Sequence, residues 1–140
     1  MMIRLSTQVE GLDWLALAEV FERAPLGTRD PATLELSFRN SQSRCFVYAD
    51  GRIIGAGRAL SDGVLWCVIF DVVLLPEYQG QGLGRAIMDS LAEQAGAAQV
   101  MLYAAPGKEA FYAKLGFKMM KTAMAKFANV ERAQARGLIE

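Results

Sequence analysis

Residues 64–75 form an almost unbroken apolar run that leads, after a short connection, into Gln79-Gly80-Gln81-Gly82-Leu83-Gly84-Arg85. A run of this length rich in Val and Ile reads as a strand covered on both faces. Beyond the glycines, Leu83, Ala86, Ile87, Leu91 and Ala95 recur at helical spacing, and the pattern stops at Gly96. Strand, glycine-rich turn and helix in that order commit the chain to a layered α/β architecture. They also build an anion cradle. The first turn of the helix has N–H groups without intrahelical partners and a partial positive charge, and alternate glycines remove the Cβ atoms that would keep a ligand off the backbone. A tight turn with no ligand is the alternative reading of the loop alone.

Two other phosphate loops fail on these residues. A P-loop closes on Gly-Lys-Ser/Thr, whereas Gly84 is followed by Arg85 and Ala86. A dinucleotide fingerprint needs G-x-G-x-x-G with an acidic residue about 20 positions on, and nothing acidic stands near position 104. The chain contains no histidine and two cysteines, Cys45 and Cys67. That excludes a Ser-His or Cys-His nucleophile and argues against a zinc site, so acid–base chemistry falls to carboxylates, tyrosine, lysine or water. Balanced charge, 15 basic against 15 acidic residues, argues against nucleic acid binding by a basic face. The N-terminal residues lack a signal-peptide core, and the longest apolar run is interrupted by Asp71 and too short to span a bilayer. A cytoplasmic location without membrane association is therefore expected.

The 140 residues suit a single domain spanning 1–140. A strand is expected at 3–9, a helix at 13–23, and a second helix capped by Asp30 with Pro31 at its first position. Strands at 44–49 and 52–60 should form a hairpin about Asp50-Gly51. Asp62-Gly63 then turns the chain into the long strand. After the loop helix come a strand at 100–104, a short helix around Tyr112, a last strand at 119–127, and a helical or frayed tail at 128–140. The order βααβββαβαβ describes a mixed sheet with helices on both faces.

The short helix carries Phe111-Tyr112-Ala113-Lys114-Leu115-Gly116-Phe117. Taken with Gln79-Gly80-Gln81-Gly82-Leu83-Gly84, it resembles the Gcn5-related N-acetyltransferase (GNAT) family, whose acyl-CoA loop reads Gln/Arg-x-x-Gly-x-Gly/Ala and whose downstream motif reads F-Y-x-K-x-G-F. The likeness covers about residues 45–127. Arg29-Asp30-Pro31, Asn40-Ser41 and Gly57-Arg58-Ala59-Leu60-Ser61-Asp62-Gly63 are similar to the small bacterial and plastid branch related to serotonin-type N-acetyltransferases. The resemblance implies a sheet splayed between its fourth and fifth strands, with acetyl-CoA as co-substrate in the opening and no metal. It further implies that the backbone of Val72, Val73 and Leu74 pairs with the pantetheine arm. An amide near Leu74 would polarise the thioester carbonyl. The amides of Gln79, Gly80, Gln81, Gly82, Leu83, Gly84 and Arg85 would hold the diphosphate, with the Gln81 and Arg85 side chains in reach of it.

By the same resemblance Tyr112 protonates the departing thiolate. A thiol near 8.5 and a phenol near 10 differ by only about 2 kcal/mol. Asp71 aligns with an acidic position of glucosamine-6-phosphate N-acetyltransferases, whose neighbouring glutamate is Phe70 here. Direct deprotonation of an alkylammonium by an ordinary aspartate spans about 6 pKa units, or roughly 8 kcal/mol. Asp71 is thus left to attract the ammonium, orient a water relay, act as a base in a buried setting, or serve structure alone. Phe38, Phe70 and Tyr103 supply aromatic surface for an acceptor. The implied activity is acetyl transfer to a primary amine of a small molecule through a ternary complex, with a homodimer expected. The alternatives are a protein lysine or N-terminal acetyltransferase and a non-catalytic acyl-CoA-binding protein.

Overall fold

The computed structural model describes residues 1–140. Its elements are β1 (Ile3–Ser6), α1 (Trp14–Arg23), α2 (Pro31–Arg39), β2 (Ser43–Ala49), β3 (Arg52–Ser61), β4 (Trp66–Leu74), a 3-10 turn (Pro76–Tyr78), α3 (Leu83–Ala95), β5 (Gln99–Met101), α4 (Glu109–Lys114) and α5 (Val130–Ala135). The chain divides into two compact units, Met1–Leu102 and Tyr103–Glu140.

The first unit holds one five-stranded sheet in the order β1-β2-β3-β4-β5. Every pairing is antiparallel except β4 with β5, which is parallel and joined by α3. Local chemistry explains the boundaries. Asp13 caps α1 by accepting from the Ala16 N–H at 3.0 Å, and Asp30 caps α2 by accepting from the Thr33 N–H at 3.0 Å, with Pro31 in the first turn. Asp50 and Gly51 both have positive φ, 48° and 81°, the signature of the primed hairpin turn that pairs Ala49 with Arg52. The long strand begins at Trp66 rather than at 64, because the Asp62 carboxylate gathers the N–H groups of Val64, Leu65 and Trp66 at 2.8, 2.8 and 3.2 Å. Those backbone donors, the Val64 N–H first, hold the Asp62 carboxyl below its usual range.

Helices cover both faces of this sheet. On one side Phe38 of α2 packs with Trp14 at the start of α1 and with Phe46 of β2, at centroid separations of 5.9 and 5.3 Å, and Leu17 and Phe21 are fully buried. On the other side α3 presses Ile87 and Leu91 against β3 so closely that a Cβ on Gly57 would meet them at 2.7 and 3.0 Å. Gly55 is tighter in a different sense, since its Cβ would stand 2.8 Å from the Val73 carbonyl oxygen and 2.8 Å from Leu74 Cδ1. The carbonyl is part of the ladder and cannot swing away. Gly55→Ala should therefore cost about 1–3 kcal/mol of stability, read as a lower midpoint in chemical denaturation.

The second unit contains α4 and α5. Gly116 follows α4 with φ 96°, the left-handed position expected after a helix, and Asn129 caps α5 by accepting from the Arg132 N–H at 2.9 Å. The strand expected at 119–127 does not form, and those residues carry no ladder. A segment becomes a strand only where an edge pairs with it, and Met, Lys and Ala favour strands weakly. Met119, Met120 and Met124 are exposed, so no covered face organises the segment. Strand β5 is also shorter than the expected 100–104, ending at Met101 before Pro106.

Candidate acetyl-transfer site

Strand β4 has two halves. Its first residues pair with β5, Trp66 with Gln99, Cys67 with Val100 and Val68 with Met101. The ladder ends there, while β4 continues to Leu74 beside β3. This is the expected splay between the fourth and fifth strands, and it leaves the β5-side edge of residues 69–74 without a strand. The Leu75 N–H donates to Ile54 on β3 at 2.9 Å. By strand alternation the N–H and C=O of Leu74 point the other way, toward the open edge. The Leu74 carbonyl is already engaged, because Gln79 Nε2 donates to it at 3.0 Å.

The loop that follows reaches α3 through Gly80 (φ 78°) and Gly82 (φ 83°), the latter standing as the N-cap residue. Nothing lies within 4 Å of a Cβ built at either position, so it is the left-handed backbone that requires glycine. No side chain caps α3 and its first turn has no acidic residue. The orphan N–H groups at this helix start therefore meet no internal acceptor. A diphosphate fits that donor set and its partial positive charge. Arg85 stands in the first turn, exposed, 3.9 Å from Asp89, and Gln81 Nε2 is 3.4 Å from the Glu77 carbonyl.

Asp71 interrupts β4 in an unexpected way. It has φ 58° in mid-strand, and Asp71 with Val72 faces the single residue Gly57 on β3, because Ala56 pairs with Val73 and Arg58 with Phe70. This is a β-bulge. Asp71 Oδ1 accepts from Arg29 Nη1 at 3.0 Å and Oδ2 from Arg58 Nε at 2.7 Å. The guanidinium of Arg58 lies over the Phe70 ring at 5.1 Å, and that of Arg29 over Phe21 at 4.5 Å. Both carboxylate oxygens are thus occupied by strong donors. Of the roles left open for Asp71, the structural one has the geometry. Neither arginine stood among the expected site residues, although both lie in segments that resemble the family.

Other expected site residues are distributed unevenly. Phe38 is fully buried in the aromatic core and cannot line an acceptor pocket. Phe70 is half-buried beside Arg58. In the second unit Tyr103 is exposed, and Tyr112 on α4 lies between Phe111 and Phe117 at centroid distances of 4.9 and 6.0 Å. Burial among these rings raises the Tyr112 pKa above its ordinary 10.0, so its hydroxyl keeps the proton at neutral pH.

A profile of the acetyltransferase (GNAT) domain matches residues 41–119. The chain belongs to the GNAT acetyltransferase family. Among GNAT relatives, serotonin N-acetyltransferase 2, chloroplastic, of Oryza sativa subsp. japonica is 38% identical over 116 residues, covering 78% of this chain and 58% of its own length. GCN5-related N-acetyltransferase 1, chloroplastic, of Arabidopsis thaliana is 34% identical over 118 residues, covering 81% and 60%. The chain thus spans about three fifths of these two relatives. A solved structure from Deinococcus radiodurans R1, described as an acetyltransferase, superposes with a TM-score of 0.75 at 30% identity over 95% of this chain and 92% of that one.

Proposed function

We propose that this GNAT protein transfers the acetyl group of acetyl-CoA to a primary amine of a small molecule, by direct attack within a ternary complex. The carrying observation is the junction of β4 and α3: an open strand edge running into a glycine-built, uncapped helix start. An extended acyl arm pairs along residues 72–74 as an added strand. The amides of residues 79–85 take the diphosphate, and the Leu74 N–H on the open edge polarises the thioester carbonyl. The ammonium first gives one proton to solvent water; the neutral amine nitrogen then forms the new C–N bond and releases a second proton to water. The C–S bond breaks, and the sulfur takes a proton from the donor that the family resemblance assigns, the Tyr112 hydroxyl, which is reprotonated from solvent.

Support for a small acceptor comes from the rice relative, whose name specifies serotonin, a small amine. Phe70 and Arg58, on the same face as the α1–α2 connection that carries Arg29, supply the acceptor-side surface. Calorimetry and a thiol-release assay over arylalkylamines, polyamines, amino sugars and lysine peptides test the reading. Binding heat with acetyl-CoA and release with a free small amine are expected. Release with lysine peptides alone would move the acceptor to protein. Folded protein that gives no heat with acetyl-CoA would overturn the proposal.

A further inference from the structure

We propose that Asp71 is a positioning residue. Its carboxylate, gripped by Arg29 and Arg58, pins a left-handed bulge in β4 and so fixes the edge of residues 72–74, where the reading above places the acyl arm. The inference rests on that reading for its effect on turnover and on geometry alone for its effect on the strand.

Two non-glycine residues have positive φ, Asp50 and Asp71. Asp50 sits in a two-residue hairpin turn, where such backbone is ordinary. Asp71 sits inside a strand, at the bulge position that glycine occupies when a bulge is built on left-handed backbone. Aspartate enters that region more readily than most residues, but such a conformation persists only where its surroundings over-determine it. Here they do so from two directions. Arg58 comes from the adjoining strand β3, and its Nη1 lies 3.4 Å from the Ser41 hydroxyl. Arg29 comes from the connection between α1 and α2, with its Nη2 donating to the Leu26 carbonyl at 3.3 Å. The Asp71 side chain is 14% exposed and Arg58 17%, so the ion pairs lie largely out of water. Across the bulge, Gly57 admits Val72 and the side chains of α3 where a Cβ would not fit. The pairing register of β4 changes at this point, which makes the conformation of residue 71 the setting for the amides that follow.

Positioning and proton transfer predict different orders among substitutions. Asparagine tolerates left-handed backbone and keeps one acceptor, glycine tolerates it without any acceptor, and valine resists it. We expect kcat to fall less than about fivefold in Asp71→Asn, about tenfold in Asp71→Gly and about a hundredfold or more in Asp71→Val. Weakening of acetyl-CoA binding should follow the same order, and the pH profile of Asp71→Asn should keep its shape. If all three lose turnover equally while acetyl-CoA binds each as it binds the parent, the carboxylate takes part in the chemistry and the inference is wrong. If the valine variant does not fold, Asp71→Ala takes its place against asparagine and glycine, with the same order expected. Should the parent itself give no binding heat, the acetyl-transfer reading fails separately. Amide hydrogen exchange at Val73, the residue of this stretch that faces its β3 partner Ala56, then decides: protection falling from Asn to Gly to Val supports the pinned bulge, and equal protection overturns it.

Discussion

Replacing Tyr112 by Phe should lower kcat about a hundredfold or more, the usual contribution of a placed general acid, while acetyl-CoA affinity changes little. The substitution removes one oxygen and keeps the edge-to-face ring contacts with Phe111 and Phe117, so a loss of turnover reports on the proton rather than on packing. Burial of the ring raises the hydroxyl's pKa from 10.0, which has two opposing consequences. The proton is present at every working pH, yet the phenol is a weaker acid and the step to a thiolate costs more than the difference between free groups. Ionisation of Tyr112 therefore removes activity only at a higher pH than ionisation of an ordinary tyrosine would. An unfolded tyrosine ionises at its ordinary value, so the same shift makes the fold lose stability as pH rises past that point. Steady-state rates from pH 7 upward, with binding measured in parallel, check both. Unchanged turnover in Tyr112→Phe would remove the tyrosine from the proton path.

Gly82→Val should weaken acetyl-CoA binding about tenfold or more. A left-handed residue with a Cβ costs about 1–2 kcal/mol, and a tenfold change corresponds to about 1.4 kcal/mol. Because Gly82 (φ 83°) is the residue from which α3 starts, relief of that strain turns the helix's first amides away from their common focus. Gly11 offers the control. It has φ 74° and no atom within 4 Å of an added Cβ, as at Gly82, but stands before α1. Gly11→Val should lower the melting temperature and leave coenzyme affinity as it was, which separates strain in general from strain at the cradle. Equal affinity in the Gly82 variant would show that the loop does not hold the coenzyme.

Much of this arrangement is legible in the order of residues, and the divisions have physical causes. The cradle is local: strand, glycines and helix follow one another in sequence, and glycine permits the left-handed backbone that Gly80 and Gly82 adopt and Gly84 does not. The caps at Asp13 and Asp30 and the turn at Asp50-Gly51 are local for the same reason. The clamp on Asp71 is not, since Arg29 and Arg58 lie 42 and 13 positions away and no short pattern links them. An aspartate read alone leaves ammonium contact, water relay, buried base and structure open, and its two arginine partners are what favour structure. Phe38 carries the same lesson, because an aromatic on an amphipathic helix faces core or cavity according to what packs opposite, here Trp14 and Phe46. The segment 119–127 forms no strand because its residues find no partner edge, and a partner is not written in local sequence.

The Gln79 amide on the Leu74 carbonyl bears on where coenzyme affinity would come from. An unpaired strand margin is adhesive toward any passing peptide, and this protein carries its own stopper across one acceptor of that margin. That oxygen has a second lone pair, so a ligand donor either joins the glutamine or replaces it. Where it replaces the glutamine, one hydrogen bond is traded for another of the same kind, and such an exchange contributes little net free energy. A ligand contact that displaces the glutamine at Leu74 would thus serve alignment more than tightness.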